Sequence, residues 1–206
     1  MKMRLTRLRS TSIYALIGLF TVTYAASIPS PAFTKQQQSS GVTLNFSPES
    51  EKFTDATRQY QSIWNAESKR IIAAMEEVSG MKFQPQDVRV IVFEGPSESG
   101  FGDKPMKLRA SYPADTKKAT LIHELGHRLN TMIRKRPDGI DEHRVLFLYL
   151  YDVWIKLYGK SFADHEVEVE KLRKGRYDYE TAWNWALSMS EQERAAKLRE
   201  IIANNR

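Results

Sequence analysis

His123-Glu124-Leu125-Gly126-His127 is the stretch of this chain whose residue types and spacing could do chemistry. Residues four apart on an α-helix lie one above the other on the same face. His123 and His127 therefore project side by side and can grip one small cation. Imidazole nitrogen suits zinc, which in a catalytic site takes three protein ligands and keeps a fourth position for water. Glu124 is turned about 100° from His123, near enough to reach that water without joining the ligand set. Zinc lowers the pKa of its bound water to about 7, and a carboxylate beside it can take the proton. His-Glu-x-x-His on a helix is the spacing that metal-assisted hydrolysis requires. Gly126 leaves room for a close backbone approach. The chain has no cysteine, so a thiol nucleophile and a thiolate-held metal are both excluded.

A catalytic zinc needs a third ligand, and the next stretch offers two adjacent candidates, Glu142 and His143. Leu146, Phe147, Leu150, Val153, Trp154 and Leu157 recur at 3–4 spacing and form a buried stripe. Extended back one turn, the stripe lands on His143, which ranks first. Glu142 lies about 100° off it and ranks second. Asp152 ranks third, with the alternative of orienting a ligand histidine from behind. Three of the 4 histidines fall within 123–143. Tyr149, Tyr151, Tyr177, Tyr179 and His165 are candidates to stabilise an oxyanion, although most tyrosines pack with a polar tip. Trp183-Asn184-Trp185 reads as core ahead of cleft wall.

The elements that must position these groups follow from periodicity. Val42 to Phe46 alternates as a short strand. Ser47–Ser50 starts a helix that Ser79-Gly80 ends, with Phe53, Tyr60, Ile63, Trp64, Ile71, Ile72 and Met75 at helical spacing. Asp87 to Phe93 is a β-branched strand, and Met106 to Tyr112 is another. Between them, 94–105 is a glycine- and proline-bearing loop; its glycines at 95, 100 and 102 do not follow the phosphate-loop pattern. Helices are expected over 117–133, 140–158, 161–173 and 178–204, the last broken near Ser188–Ser190. Ile122, Leu125, Leu129 and Met132–Ile133 make the buried stripe of the motif helix. The Glu191–Arg199 charges read as a solvated face. The order of elements argues α+β: a small mixed β-sheet packed on the motif helix, then a helical C-terminal half.

Thr120-Leu121-Ile122-His123-Glu124-Leu125-Gly126-His127-Arg128-Leu129 resembles the active-site helix of the zincin metallopeptidases, gluzincin-like or minimal. Arg128 is a departure. So are Asn130 and Ile133, which stand where the extended metzincin motif has a glycine and a third histidine. A histidine at 143 would also depart from the gluzincin pattern, whose second helix supplies a glutamate. The resemblance implies a zinc peptidase with Glu124 as base. It also implies an edge strand, at Met106 to Tyr112, holding the substrate backbone by β-addition.

The N-terminus sets the expected location. Lys2, Arg4, Arg7 and Arg9 precede an apolar run from Ile13 to Ala26 and the small residues Ala25, Ala26 and Ser27, the order of a secretory signal peptide. The run is short of the roughly 20 residues a membrane-spanning helix needs. Residues 1–27 therefore read as a signal, 28–41 as a Ser-, Pro- and Gln-rich linker, and 42–206 as one domain. Without the signal's four cations the net charge of +6 falls to about +2. No basic stripe remains to neutralise several phosphates, so no nucleic acid is expected as a partner. The expectation is an exported, periplasmic or extracellular zinc metallopeptidase acting on a peptide or protein, with no stable membrane span after signal cleavage. Two alternatives stand beside it: a zincin-like binding scaffold of the cell envelope, and a hydrolase of non-peptide amides.

Overall fold

The computed structural model describes residues 41–175 and 177–205. The expected signal and, apart from Gly41, the expected linker lie outside the described residues. Strand β1 (Val42–Pro48) leads through a short 3-10 turn into helix α1 (Thr54–Ser79). Gly80 closes α1 at φ 71, with its N–H on Glu76 O, the left-handed cap that glycine adopts without a Cβ penalty. Strand β2 (Gln86–Phe93) follows, then β3 (Met106–Arg109), and after it five α-helices among the described residues. These are α2 (Ala114–Leu129), α3 (Glu142–Tyr158), α4 (Lys160–Lys171), α5 (Tyr179–Leu187) and α6 (Glu191–Ala203).

The architecture combines helices with a small sheet, but the sheet is not mixed. Its three strands run in the order β1-β2-β3 and both pairings are parallel. The long helix α1 carries the chain back between β1 and β2, and residues 94–105 do the same between β2 and β3. A return of that length is what parallel neighbours require. The one antiparallel pairing among the described residues is an isolated bridge, Glu98 to Lys107.

β3 is shorter than the expected strand, and its outer edge is occupied. Lys107 exchanges both backbone hydrogen bonds with Glu98, at 3.0 and 2.8 Å. Arg109 N–H donates to Ser97 Oγ at 3.0 Å, and Arg109 C=O accepts from the Tyr60 hydroxyl at 3.0 Å. The chain thus fills with its own loop the edge that the zincin resemblance assigned to a substrate. Arg128, the departure beside the second motif histidine, holds that loop in place. Its guanidinium donates to Ser99 O at 3.0 Å and to Gln86 Oε1 at 3.1 Å.

Helix α2 packs against α1, α3, α4 and β3. Leu121, Ile122 and Leu125 are fully buried, each worth about 1.5–3 kcal/mol relative to exposure. Leu129 and Ile133 join them, but Met132 is 41% exposed. The α-helix ends at Leu129 and a 3-10 turn over Asn130–Met132 follows, so the helical period that would have buried Met132 stops short of it. Helix α3 lies across α1, α2, α4, α5 and α6. Phe147 on α3 stacks on Trp183 of α5, with centroids 3.8 Å apart. The break between α5 and α6 is sharp because Ser190 and Glu193 form a reciprocal capping box.

Candidate functional site

Two helices build the site. α2 presents His123, Glu124 and His127, and α3 presents His143 in its first turn. Asp141 caps α3, accepting from Arg144 N at 2.8 Å, and so fixes where that turn begins. The helices approach closely at Gly126. A Cβ there would lie 2.3 Å from Leu146 Cδ1 and 3.2 Å from the Tyr149 hydroxyl. Tyr149 shares its proton between Gly126 O at 3.1 Å and Asn130 Oδ1 at 3.0 Å, tying α3 to the end of α2.

The close approach brings three imidazoles together. His123, His127 and His143 each offer a ligand atom within 4.8 Å of the others, and all three residues are buried. Nε2 of His123 and Nε2 of His127 face each other at 3.1 Å. Such a group could hold a metal ion. A buried Nδ1 of His143 has no hydrogen-bond partner, the kind of orphaned atom that a bound ion or water would satisfy. Burial, reinforced by His123 and His127, drives the His143 pKa down to about 2, so the ring is neutral and keeps the lone pairs a cation needs.

The far sides of the motif histidines meet carboxylates. Glu142 Oε1 lies 2.9 Å from His127 Nδ1. Glu170 Oε1, from α4, lies 2.8 Å from His123 Nδ1. The second approach is close but poorly aligned as a hydrogen bond, so its effect is mainly that of charge. A carboxylate behind a ligand imidazole fixes the tautomer that turns Nε2 toward the metal. Glu142 is therefore placed behind His127 and not beside His143 in the cluster. Burial works against the charged form of His127, but Glu142, Glu124 and Glu170 together raise its pKa above the ordinary value. The hydrogen bond to His127 in turn lowers the Glu142 pKa.

Glu170 is fully buried and still ionised. Burial alone would raise its pKa, but the charges of His123 and Arg173, with the hydrogen bond from Trp183, bring it down to about 2. Trp183 Nε1 donates to Glu170 Oε2 at 3.0 Å, so this core tryptophan also braces the site. Arg173 lies 3.3 Å from Glu170 Oε1 and donates to Thr120 Oγ1 at 3.0 Å. Its charge also feels Glu124, Tyr112 and Tyr179. Glu124 itself is buried, 3% exposed.

Of the oxyanion candidates, two stand at the cluster. Tyr177 and Tyr179 approach His143 with ring centroids at 4.5 and 4.6 Å. Tyr149 is buried in the α2–α3 contact, and Tyr151 donates to Asp164 at 2.7 Å on the surface. His165 has a 68% exposed side chain, 3.9 Å from Glu166. Asp152 is not at the site: Arg194 grips both its oxygens, at 2.5 and 3.1 Å.

Glu170 and Arg173 are the site residues that the sequence reading passed over. One signal was available for the first. On α4, Ala163 and Val167 are the buried apolar residues, and Glu166 and Glu170 fall on the same stripe. Two carboxylates on an apolar stripe must find buried partners. Comparison of the chain with protein-family models, with curated proteins and with solved structures finds no match.

Proposed function

We propose that this chain is an exported, zincin-like zinc metallopeptidase, with His123, His127 and His143 as metal ligands and Glu124 as the general base. The observation that carries the reading is the convergence of three neutral-capable imidazoles beside a carboxylate one residue from a ligand. Imidazole-only donor sets suit zinc among the common divalent ions. Zinc held there would acidify a water and polarise the scissile carbonyl. The chain's own residues do the rest. Glu124 takes the proton of the attacking water on its carboxylate and returns it to the leaving amine nitrogen. Glu142 and Glu170 keep the two motif rings oriented. Tyr177 and Tyr179, whose rings lie next to His143, are the candidates to donate to the developing oxyanion. With β3 engaged by its own loop, the substrate backbone is bound elsewhere than on that strand. Export rests on the order of residues 1–27; among the described residues no helix is long and apolar enough to cross a membrane.

Glu124→Gln tests the reading. It should keep zinc and lose about 10²–10⁴-fold in peptide hydrolysis. Retained hydrolysis would remove Glu124 from the mechanism and the reading with it. One observation favours a second reading, a binding scaffold in which the metal only joins α2 to α3. The three histidines are 1, 7 and 5% exposed, close to the burial of a structural site. That reading predicts that chelation destabilises the fold while the zinc-loaded wild type cleaves no peptide.

A further inference from the structure

Two open clefts flank the histidine cluster, and cations line both. One, of about 500 Å³, carries Arg134, Arg136 and Arg144. The other, of about 430 Å³, carries Lys171, Arg173 and Lys174 with Tyr177 and Tyr179. Each has residues next to the cluster. Arg136 helps lower the Glu142 pKa, and the tyrosines of the second cleft lie against His143. Arg144 from the first cleft and Lys174 from the second both act on Asp178.

The acids nearby are largely engaged. Asp141 caps α3 and pairs with Arg144 at 3.0 Å. Asp178 caps α5 through Thr181, and Glu142 holds His127. Asp138 and Glu180 remain on the cleft walls. Against them, Arg134, Arg136 and Lys174 have no ion-pair partner among the described residues. The residues lining the two clefts include six cations (Arg134, Arg136, Arg144, Lys171, Arg173, Lys174) against four acids (Asp138, Asp141, Asp178, Glu180), a net of +2. The chain is +6, and Lys2, Arg4, Arg7, Arg9 and Lys35 supply five of those charges, so residues 41–206 carry +1. The residues of 41–206 outside the two cleft linings are therefore net −1. Positive charge is concentrated where a substrate would approach. Between the cations stand apolar steps, Leu172 at 74% exposure and Tyr177 at 40%.

We propose that this rim selects acidic peptides: substrates with Asp or Glu on both sides of the reacting bond and an apolar side chain that rests on Leu172 and Tyr177. The proposal builds on the metallopeptidase reading and names its substrate class. Complementary charge at a partly exposed rim steers encounter and discriminates partners, and salt screens it. Each unpaired cation contributes about two- to fivefold in affinity, so three together give roughly tenfold or more at low salt.

The test uses the zinc-loaded Glu124→Gln protein and two fluorescein-labelled peptides that differ only in Asp/Glu against Asn/Gln. Fluorescence anisotropy should show the acidic peptide binding about tenfold tighter or better at low salt, with the gap closing at high salt. The triple substitution Arg134→Glu, Arg136→Glu and Lys174→Glu, at exposed positions, should erase the gap while zinc content stays the same. Equal affinities, no binding of either peptide, or a preference that survives the triple substitution would overturn the proposal. So would tighter binding to phosphatidylglycerol vesicles or to single-stranded DNA than to the acidic peptide. The two readings fail separately. Wild type that hydrolyses both peptides equally, with no difference in binding, keeps the peptidase and loses the rim. Wild type that binds the acidic peptide by the rim and cleaves nothing keeps the rim and loses the peptidase.

Discussion

Replacing Gly126 by alanine should disturb the candidate metal site through packing alone. The new Cβ would stand 2.3 Å from Leu146 Cδ1, where ordinary contact begins at 3.4 Å, so Leu146 must yield by about 1.1 Å. Leu146 is fully buried, and it lies three residues from His143 on the same helix. Overpacking of this kind costs about 1–3 kcal/mol. Alanine in a helix interior returns about 1 kcal/mol over glycine. The net loss of stability is therefore small, about 0–2 kcal/mol, and urea unfolding of the metal-free protein should report it. The larger effect falls on the metal. Ligand distances tolerate about 0.2 Å, so even a fraction of that movement, passed along α3, takes His143 out of range. Zinc affinity, measured by competition with a chromophoric chelator, should fall more than about tenfold. Gly126→Ala combined with Leu146→Val should recover part of it. Wild-type zinc affinity in the single variant would refute the claim that this contact sets the spacing of the ligands.

Three further outcomes follow from the same geometry. Glu142→Gln and Glu170→Gln should each lower zinc affinity about 10–100-fold while leaving a folded chain, since both carboxylates act from behind a ligand ring. Zinc affinity should fall as pH drops through the raised His127 pKa: the ligand form is neutral, and below that pKa the proton competes with the metal, which a chelator titration from about pH 8 to about pH 5 would follow. Asp152→Ala should leave zinc binding intact but destabilise the fold by about 3–5 kcal/mol in urea, because it strands the Arg194 guanidinium, whose side chain is 6% exposed.

Much of this arrangement was legible from periodicity. The stripe Leu146 to Leu157 pointed back to His143, and that is the imidazole facing the motif pair. Glu142, the second candidate, points another way. It lies one residue away on the helix, and its carboxylate reaches the outer nitrogen of His127. Gly80 ends α1 and Ser190 starts α6 where the lack of a side chain, or its hydroxyl, requires it. Contacts between distant segments were the illegible part. Glu170, 47 positions from His123, is brought to it only by the packing of α4 on α2. The loop on β3 depends on Arg128, whose partners Gln86 and Ser99 no local pattern connects. The basic rim was invisible for the same reason: its halves lie in separate loops, and the total charge of the chain hides their sum.

The most direct test is the zinc content of the purified protein by elemental analysis, with wild type beside His143→Ala and Glu142→Ala. One zinc per chain in the wild type is the predicted result, abolished in His143→Ala and weakened but recoverable with added zinc in Glu142→Ala. Zinc retained in His143→Ala and abolished in Glu142→Ala would contradict the ligand set. No zinc in the wild type, even after incubation with the metal, would contradict the site as a whole.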